Sequence, residues 1–247
     1  MMTISISTGK YCANLRSTSL LKLYSRFDRL EDALHIFNMM TETDVVIWTT
    51  LITCFAEKGY IKESIQLFHR MQENGMVRPN TVTFIGILAE YGKYAAEEEG
   101  QLIYYHVLVD GLESDITISN ALINMYGKCG NQHDAIWIFD QIPDRNVVTW
   151  TCLITLYTHK GHGKAALIVF NRMLCEGMLP NHVTLVNLIV ACACRAVLIE
   201  GKHFHARIIS IASESDVIIA ASLVNMYDKC GSISDARRVF DCTHNRD

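Results

Sequence analysis

The chain has 247 residues, half of them apolar and 19% charged, and its formal net charge is −4. That apolar share excludes a disordered polypeptide, and the length suits one large domain, two small ones or a stack of repeats. The acidic balance speaks against a uniformly basic nucleic-acid domain but leaves room for a basic stripe on one face.

Residues 1–13 read as an N-terminal extension. The first 18 residues, "MMTISISTGKYCANLRST", are rich in Ser and Thr and lack acidic residues, but they hold no apolar run of signal-peptide length. They carry few basic residues, so a targeting peptide is not clearly written there. From residue 14 onward one register recurs: a small residue, then apolar residues three, four and seven positions later. In chain order it reads Ala33-Ile36-Phe37-Met40, Ser64-Leu67-Phe68-Met71, Gly100-Ile103-Tyr104-Val107 and Ala135-Ile138-Phe139-Ile142. It continues with Ala166-Val169-Phe170-Met173, Gly201-Phe204-His205-Ile208 and Ala236-Val239-Phe240, where Thr243 breaks it. The spacing is one face of an α-helix. The small residue predicts close approach of a neighbouring helix, and His205 and Thr243 predict looser packing at their positions.

A second helical face precedes this register: Leu20-Leu21-Tyr24, Leu51-Ile52-Phe55, Leu122-Ile123-Tyr126, Leu153-Ile154-Tyr157 and Leu223-Val224-Tyr227. Between the two faces stands Gly59, Gly130, Gly161 or Gly231, each suited to a left-handed helix end. Asp28, Ala95 and Ala196 take the equivalent place elsewhere. Each unit is thus predicted to be a helical hairpin that cannot bury its apolar face alone, and stacked hairpins share a continuous core. The near-duplicate nonapeptides "LINMYGKCG" (122–130) and "LVNMYDKCG" (223–231) are the end of the first helix in two copies.

Other readings of the chain are weaker. The most membrane-like segment, "HVTLVNLIVACACRAVLIEG", is interrupted by Asn187 and Arg195, and its apolar runs are too short to span a bilayer. The nine cysteines contain no C-x-x-C pair and read as reduced, mostly buried small apolar residues. Cys192, Cys194, His203 and His205 resemble a ligand cluster by composition, but i, i+2 spacing sends each pair to different helix faces, so no metal is expected. No phosphate-binding loop, nucleophile motif or zinc-deaminase H-x-E and C-x-x-C signature occurs, so no catalytic residue, cofactor or small-molecule substrate is expected.

The units run 14–44, 45–80, 81–115, 116–146, 147–181, 182–216 and 217–247. Their lengths and signatures resemble the pentatricopeptide repeat family, in its plant-type array of P, L and S units. "NALINMYGKCGNQHDAIWIFDQIPDRN" is similar to an S unit, "VVTWTCLITLYTHKGHGKAALIVFNRMLCEGMLPN" to a P unit, and "TVTFIGILAEYGKYAAEEEGQLIYYHVLVDGLESD" to an L unit. The order is S-P-L-S-P-L-S. Residues 45–80 carry one extra residue, 94–99 ("YAAEEE") make an unusually acidic connector, and Ala221 stands where the family usually has a polar residue. The resemblance implies an all-α, right-handed solenoid of about seven helix-turn-helix repeats.

The resemblance also implies that the chain binds single-stranded RNA, about one base per repeat. The fifth and last residues of each unit would read the base: Thr18 with Asp44, Thr49 with Asn80, Ile85 with Asp115, Asn120 with Asn146, Thr151 with Asn181, Val186 with Asp216, and Ala221 with Asp247. Ile85 and Val186 predict poor discrimination in the L units. The same Asn and Asp residues also suit helix N-caps. One basic residue ends the first helix of every unit: Arg26, Lys58, Lys93, Lys128, Lys160, Arg195 and Lys229. Stacking would align them in a row fit for a phosphate backbone, while a cation at a helix C-terminus is favourable in its own right. The implied role is site recognition in organellar RNA processing, C-to-U editing foremost, with a deaminase or other factor in trans and no membrane partner. RNA stabilisation, splicing or translation, and a protein–protein scaffold, stay open as alternatives.

Overall fold

The computed structural model describes residues 17–159, 161–195, 198–211 and 217–244. These form fourteen α-helices and, among the described residues, no strand. Helix α1 covers 17–26. It is followed by α2 (Leu30–Met39), α3 (Val45–Glu57), α4 (Ile61–Glu73), α5 (Thr81–Lys93), α6 (Glu97–Val109) and α7 (Ile116–Cys129). Then come α8 (Gln132–Gln141), α9 (Val147–His159), α10 (Gly163–Cys175), α11 (His182–Arg195), α12 (Leu198–Ile211), α13 (Val217–Lys229) and α14 (Ile233–His244). The chain divides into two compact units, residues 1–138 and 139–247, with the boundary inside α8.

Odd-numbered helices from α3 to α13 begin on the first residue of a repeat read from the sequence. A side-chain cap explains several of these starts. Asp44 Oδ1 accepts the N–H groups of Val46 and Ile47, and Asp115 Oδ1 accepts those of Thr117 and Ile118. Asn80, Asn146 and Asn181 each accept the N–H three residues on. These bonds satisfy donors that a helix start would otherwise leave unpaired.

The turn between the helices of a hairpin is equally uniform. The N–H of Arg29, Tyr60, Ala96, Asn131, His162 and Ser232 reaches back to the carbonyl of Tyr24, Phe55, Tyr91, Tyr126, Tyr157 and Tyr227, respectively, at 2.9–3.0 Å. This six-residue closure requires a left-handed residue just before the donor. Gly59 (φ 84°), Gly130 (φ 96°), Gly161 (φ 68°) and Gly231 (φ 72°) supply it. Asp28 (φ 61°) and Ala95 (φ 53°) adopt the same conformation with a Cβ present. Ala196 lies outside the described residues. Because alanine is disfavoured there, Ala95→Gly is expected to raise stability by about 0.5–1 kcal/mol. A thermal melt checks this, and a lowered midpoint would show that the turn is unstrained.

In the first unit α3 packs on α4 and α5, α5 on α6 and α7, and α6 on α7. Leu51, Ile52, Phe68, Phe84, Ile103, Val107, Ile118 and Ile123 are fully buried. The small residues of the recurring register have a visible purpose. A Cβ built on Gly100 would fall 2.6 Å from Met125 Sδ, so the methionine of "LINMYGKCG" fills the space that glycine leaves. At Ser64 the hydroxyl donates to Ile61 O and lies 2.8 Å from the Tyr91 hydroxyl, which therefore donates to it. The acidic stretch at 97–99 occupies the first turn of α6, where the helix dipole favours it, and Glu97 accepts from Asn131 Nδ2 at 2.7 Å.

In the second unit α9 packs on α10 and α11, α11 on α12 and α13, and α13 on α14. Gly201 lies under Met226 as Gly100 lies under Met125: a Cβ would come 3.1 Å from the sulfur. Phe170 and Phe204 meet edge to face at 5.7 Å. His205 takes the next register position, bonds the Tyr227 hydroxyl at 2.8 Å, and borders a cavity of about 470 Å³ that Lys202, Asp235 and Arg238 also line. The looser packing expected at His205 is present. Phe240 is 51% exposed, since no described helix covers that face of α14. Leu20 is 38% exposed, against its expected core position, and Cys175 and Cys242 are exposed rather than buried. No helix among the described residues is long and apolar enough to cross a membrane.

Candidate nucleic-acid interface

Two of the expected residue pairs are joined through a third side chain. In the first unit Thr49 Oγ1 lies 2.7 Å from Thr83 Oγ1, and Thr83 Oγ1 lies 3.0 Å from Asn80 Oδ1. In the second unit Thr151 Oγ1 lies 2.7 Å from Thr184 Oγ1, which lies 2.9 Å from Asn181 Oδ1. The backbone N–H of Thr83 or Thr184 reaches the same Asn oxygen at 3.0 or 2.9 Å. An N–H can only donate, so the amide must present its oxygen inward and turn its Nδ2 away from the helix start. The Asn residues are therefore caps, and the same contacts hold each Thr–Asn pair in a fixed arrangement.

The remaining pairs differ. Asp44 caps α3, and Thr18 is half-buried in α1. Asp115 is occupied on both oxygens, Oδ1 by the start of α7 and Oδ2 by Thr81 Oγ1 at 2.8 Å. Burial raises its pKa, but the bonds from Thr81 and Thr117 outweigh that and hold the carboxyl below its ordinary value. Its hydrophobic partner Ile85 is half-buried. Asn120 is 6% exposed in α7, and its Oδ1 meets no hydrogen-bond partner among the described residues. Asn146 belongs to the second unit, where its Oδ1 also accepts from Thr149 Oγ1 at 3.2 Å. Val186 is half-buried and Ala221 exposed. Asp216 and Asp247 lie outside the described residues.

The described basic residues stand at, or within a residue of, the C-terminal ends of the first helices. In the first unit Arg26, Lys93 and Lys128 are exposed and Lys58 is half-exposed. The Lys128 stem covers Gly92, beside Lys93. Lys58 Nζ lies 3.1 Å from Asp28, and Lys93 Nζ 3.4 Å from Glu90, whose hydrogen bond and charge raise the lysine pKa. Exposed pairs of this kind contribute little to stability and are readily exchanged for another anion. In the second unit Lys229 is exposed. Lys160 and the Arg195 side chain lie outside the described part. Among the described residues no three His, Cys, Asp or Glu side chains converge: Cys192 is buried, His203 exposed, and His205 engaged with Tyr227.

One set of residues escaped the sequence reading. The second residue of each repeat from 45 onward is β-branched, and its side chain is exposed: Val46 (56%), Val82 (65%) and Thr117 in the first unit, and Val148, Val183 and Ile218 in the second. Val46 precedes Thr49 by three residues and Val82 follows Asn80 by two. The signal was available, because a β-branched residue, apolar at every position but Thr117, recurs at one register that the burial pattern does not need. Scattered exposed apolar residues require no explanation, but an exposed β-branched residue in each repeat beside the polar pair does.

Comparison with known proteins places this architecture. The PPR repeat family profile matches residues 43–93 and 145–194, and the PPR repeat profile matches 17–45 and 117–147. The chain belongs to the pentatricopeptide repeat family. It is similar to pentatricopeptide repeat-containing protein At5g27110 of Arabidopsis thaliana, at 32% identity over 98% of this chain and 35% of that protein. It is also similar to the Arabidopsis thaliana protein CRR2, chloroplastic, at 37% identity over 75% of this chain and 28% of that one. It thus spans about a third of the length of these relatives. In fold it matches the crystal structure of the pentatricopeptide repeat protein PPR10 in complex with an 18-nt psaJ RNA element, with a TM-score of 0.82 and 19% identity over 94% of this chain and 35% of that one. The fold is an all-α helical-repeat solenoid.

Proposed function

We propose that the chain reads single-stranded RNA, one base per repeat, and supplies site recognition for organellar RNA processing, C-to-U editing foremost. The observation that carries this reading is the matched pair of arrangements Thr49–Thr83–Asn80 and Thr151–Thr184–Asn181. Each places a hydroxyl and an amide beside an exposed β-branched side chain on which a base face can rest. The PPR10 structure, bound to an RNA element, supports the ligand class, and relatives named chloroplastic or mitochondrial support the compartment. The S-P-L order motivates the editing role. Catalysis would then come from a deaminase or other factor acting in trans.

By the family's pairing, Thr with Asp suits guanine, Thr with Asn adenine, and Asn with Asn a pyrimidine, so the preferred site is G-A-n-Y-A-n-n. Filter binding of this RNA against a scrambled one tests the reading. Equal affinity would remove base reading, and no RNA binding at all would favour a protein scaffold. If the seven basic residues meet phosphates, log affinity should fall with log salt at a slope near −5, from about −0.7 per single-strand contact. A slope near zero would exclude the basic row from the interface.

A further inference from the structure

We infer that the third residue of the following repeat, Thr83 and its second copy Thr184, decides which base the preceding pair accepts. The inference rests on the base-reading role proposed above and assigns a positioning residue to it. Every repeat end from 44 to 216 shows one of two patterns. Asn80, Asn146 and Asn181 are followed three residues later by Thr83, Thr149 and Thr184. Asp44, Asp115 and Asp216 are followed by Ile47, Ile118 and Ile219. The backbone N–H at this third position donates to Asn and Asp alike; Thr83 also closes a capping box by accepting the Asn80 N–H, so the two patterns differ in the hydroxyl and not in the backbone bond.

The protons show what the threonine adds. Asn80 Oδ1 can only accept, and Thr83 Oγ1 lies 3.0 Å from it. Thr83 Oγ1 also accepts the Asn80 backbone N–H at 3.3 Å. Its single proton therefore goes to Asn80 Oδ1, and the 2.7 Å contact with Thr49 needs the Thr49 proton. Thr49 is left with lone pairs only. Asn80, its oxygen held inward by two donors, presents only N–H. The pair becomes an acceptor beside a donor. That pattern complements an edge with an exocyclic amine next to a bare ring nitrogen, as in adenine and cytosine. It opposes guanine and uracil, whose carbonyl and ring N–H are reversed. In the second unit the same chain of contacts holds, with Val147 O as an additional acceptor for Thr151 at 2.7 Å. Thr83 is therefore the cleaner position to test, since Thr49 Oγ1 has no such second acceptor among the described residues.

The experiment uses the full chain as wild type, Thr83→Val and Thr83→Ser. Valine keeps the shape and the capping N–H but lacks the hydroxyl, whereas serine keeps the hydroxyl. Equilibrium competition is run with four RNAs that differ only at the second base: adenine, guanine, cytosine or an abasic site. Wild type and Thr83→Ser should prefer adenine to guanine about tenfold, and Thr83→Val should fall to about twofold or less, in keeping with the loss of one or two oriented hydrogen bonds. The abasic RNA should bind all three proteins alike. Retained discrimination in Thr83→Val overturns the inference. So does loss in both variants, or an equal weakening of adenine and abasic RNAs by valine, which would mark a structural role. Absence of adenine preference in wild type removes the base reading itself, and with it this refinement.

Discussion

Replacing Phe68 with alanine is expected to lower the free energy of unfolding by about 3–5 kcal/mol. The ring is fully buried and meets Phe84 at 5.8 Å and His106 at 5.2 Å, both edge to face. It stands on α4, while those neighbours belong to α5 and α6. Deleting it leaves a cavity between hairpins, and in a stacked repeat the interface between hairpins carries much of the stability. Phe240 holds the same register in the last repeat but is 51% exposed, so Phe240→Ala should cost about 1 kcal/mol or less. Urea unfolding of the two variants separates burial from residue type. Equal losses would mean that the register does not define a shared core.

Asn181→Asp should move the preference at the fifth base from adenine toward guanine by about 1–3 kcal/mol. The fold should survive the change, since Asp44 and Asp115 cap α3 and α7 through the same kind of bond that Asn181 makes to Thr184 N–H. With one oxygen still held by the cap, the outward group changes from N–H to a carboxylate oxygen. That oxygen repels the bare ring nitrogen of adenine and accepts the ring N–H of guanine. Weakened adenine binding should supply most of the shift, because Thr151 remains an acceptor. RNA competition on the two proteins measures it. An unchanged preference with intact overall binding would place the reading of that base elsewhere.

Much of the architecture was legible in the residues themselves because its causes are local. The small-apolar-aromatic spacing is set by the 3.6-residue turn, and the described residues place Ala33, Ser64, Gly100, Ala135, Ala166 and Gly201 in the core as that spacing demands. The left-handed turn residue follows from closing a six-residue hydrogen bond, so even Asp28 and Ala95, which lack the glycine signal, adopt it. Asn and Asp at the repeat ends are capping residues by their chemistry, whatever else they do.

Tertiary structure decided the connections across repeats. That Thr49 reaches Asn80 through Thr83, or that Asp115 is held by Thr81 34 residues earlier, depends on how neighbouring helices are set against each other. A shift of an ångström or two would break those bonds while leaving every periodicity unchanged. The same holds for exposure. Leu20 and Phe240 satisfy the apolar pattern, but only a neighbouring helix can bury them. The exposed Val46 and Val82 carry the opposite lesson, for apolar residues belong to the core only where the packing gives them a partner. Sequence alone determined the repeat and its capped helices, because those rest on contacts within a turn or two. Packing determined which polar groups of one repeat are oriented by the next, because hydrogen bonds between helices depend on distances that no single-helix pattern encodes.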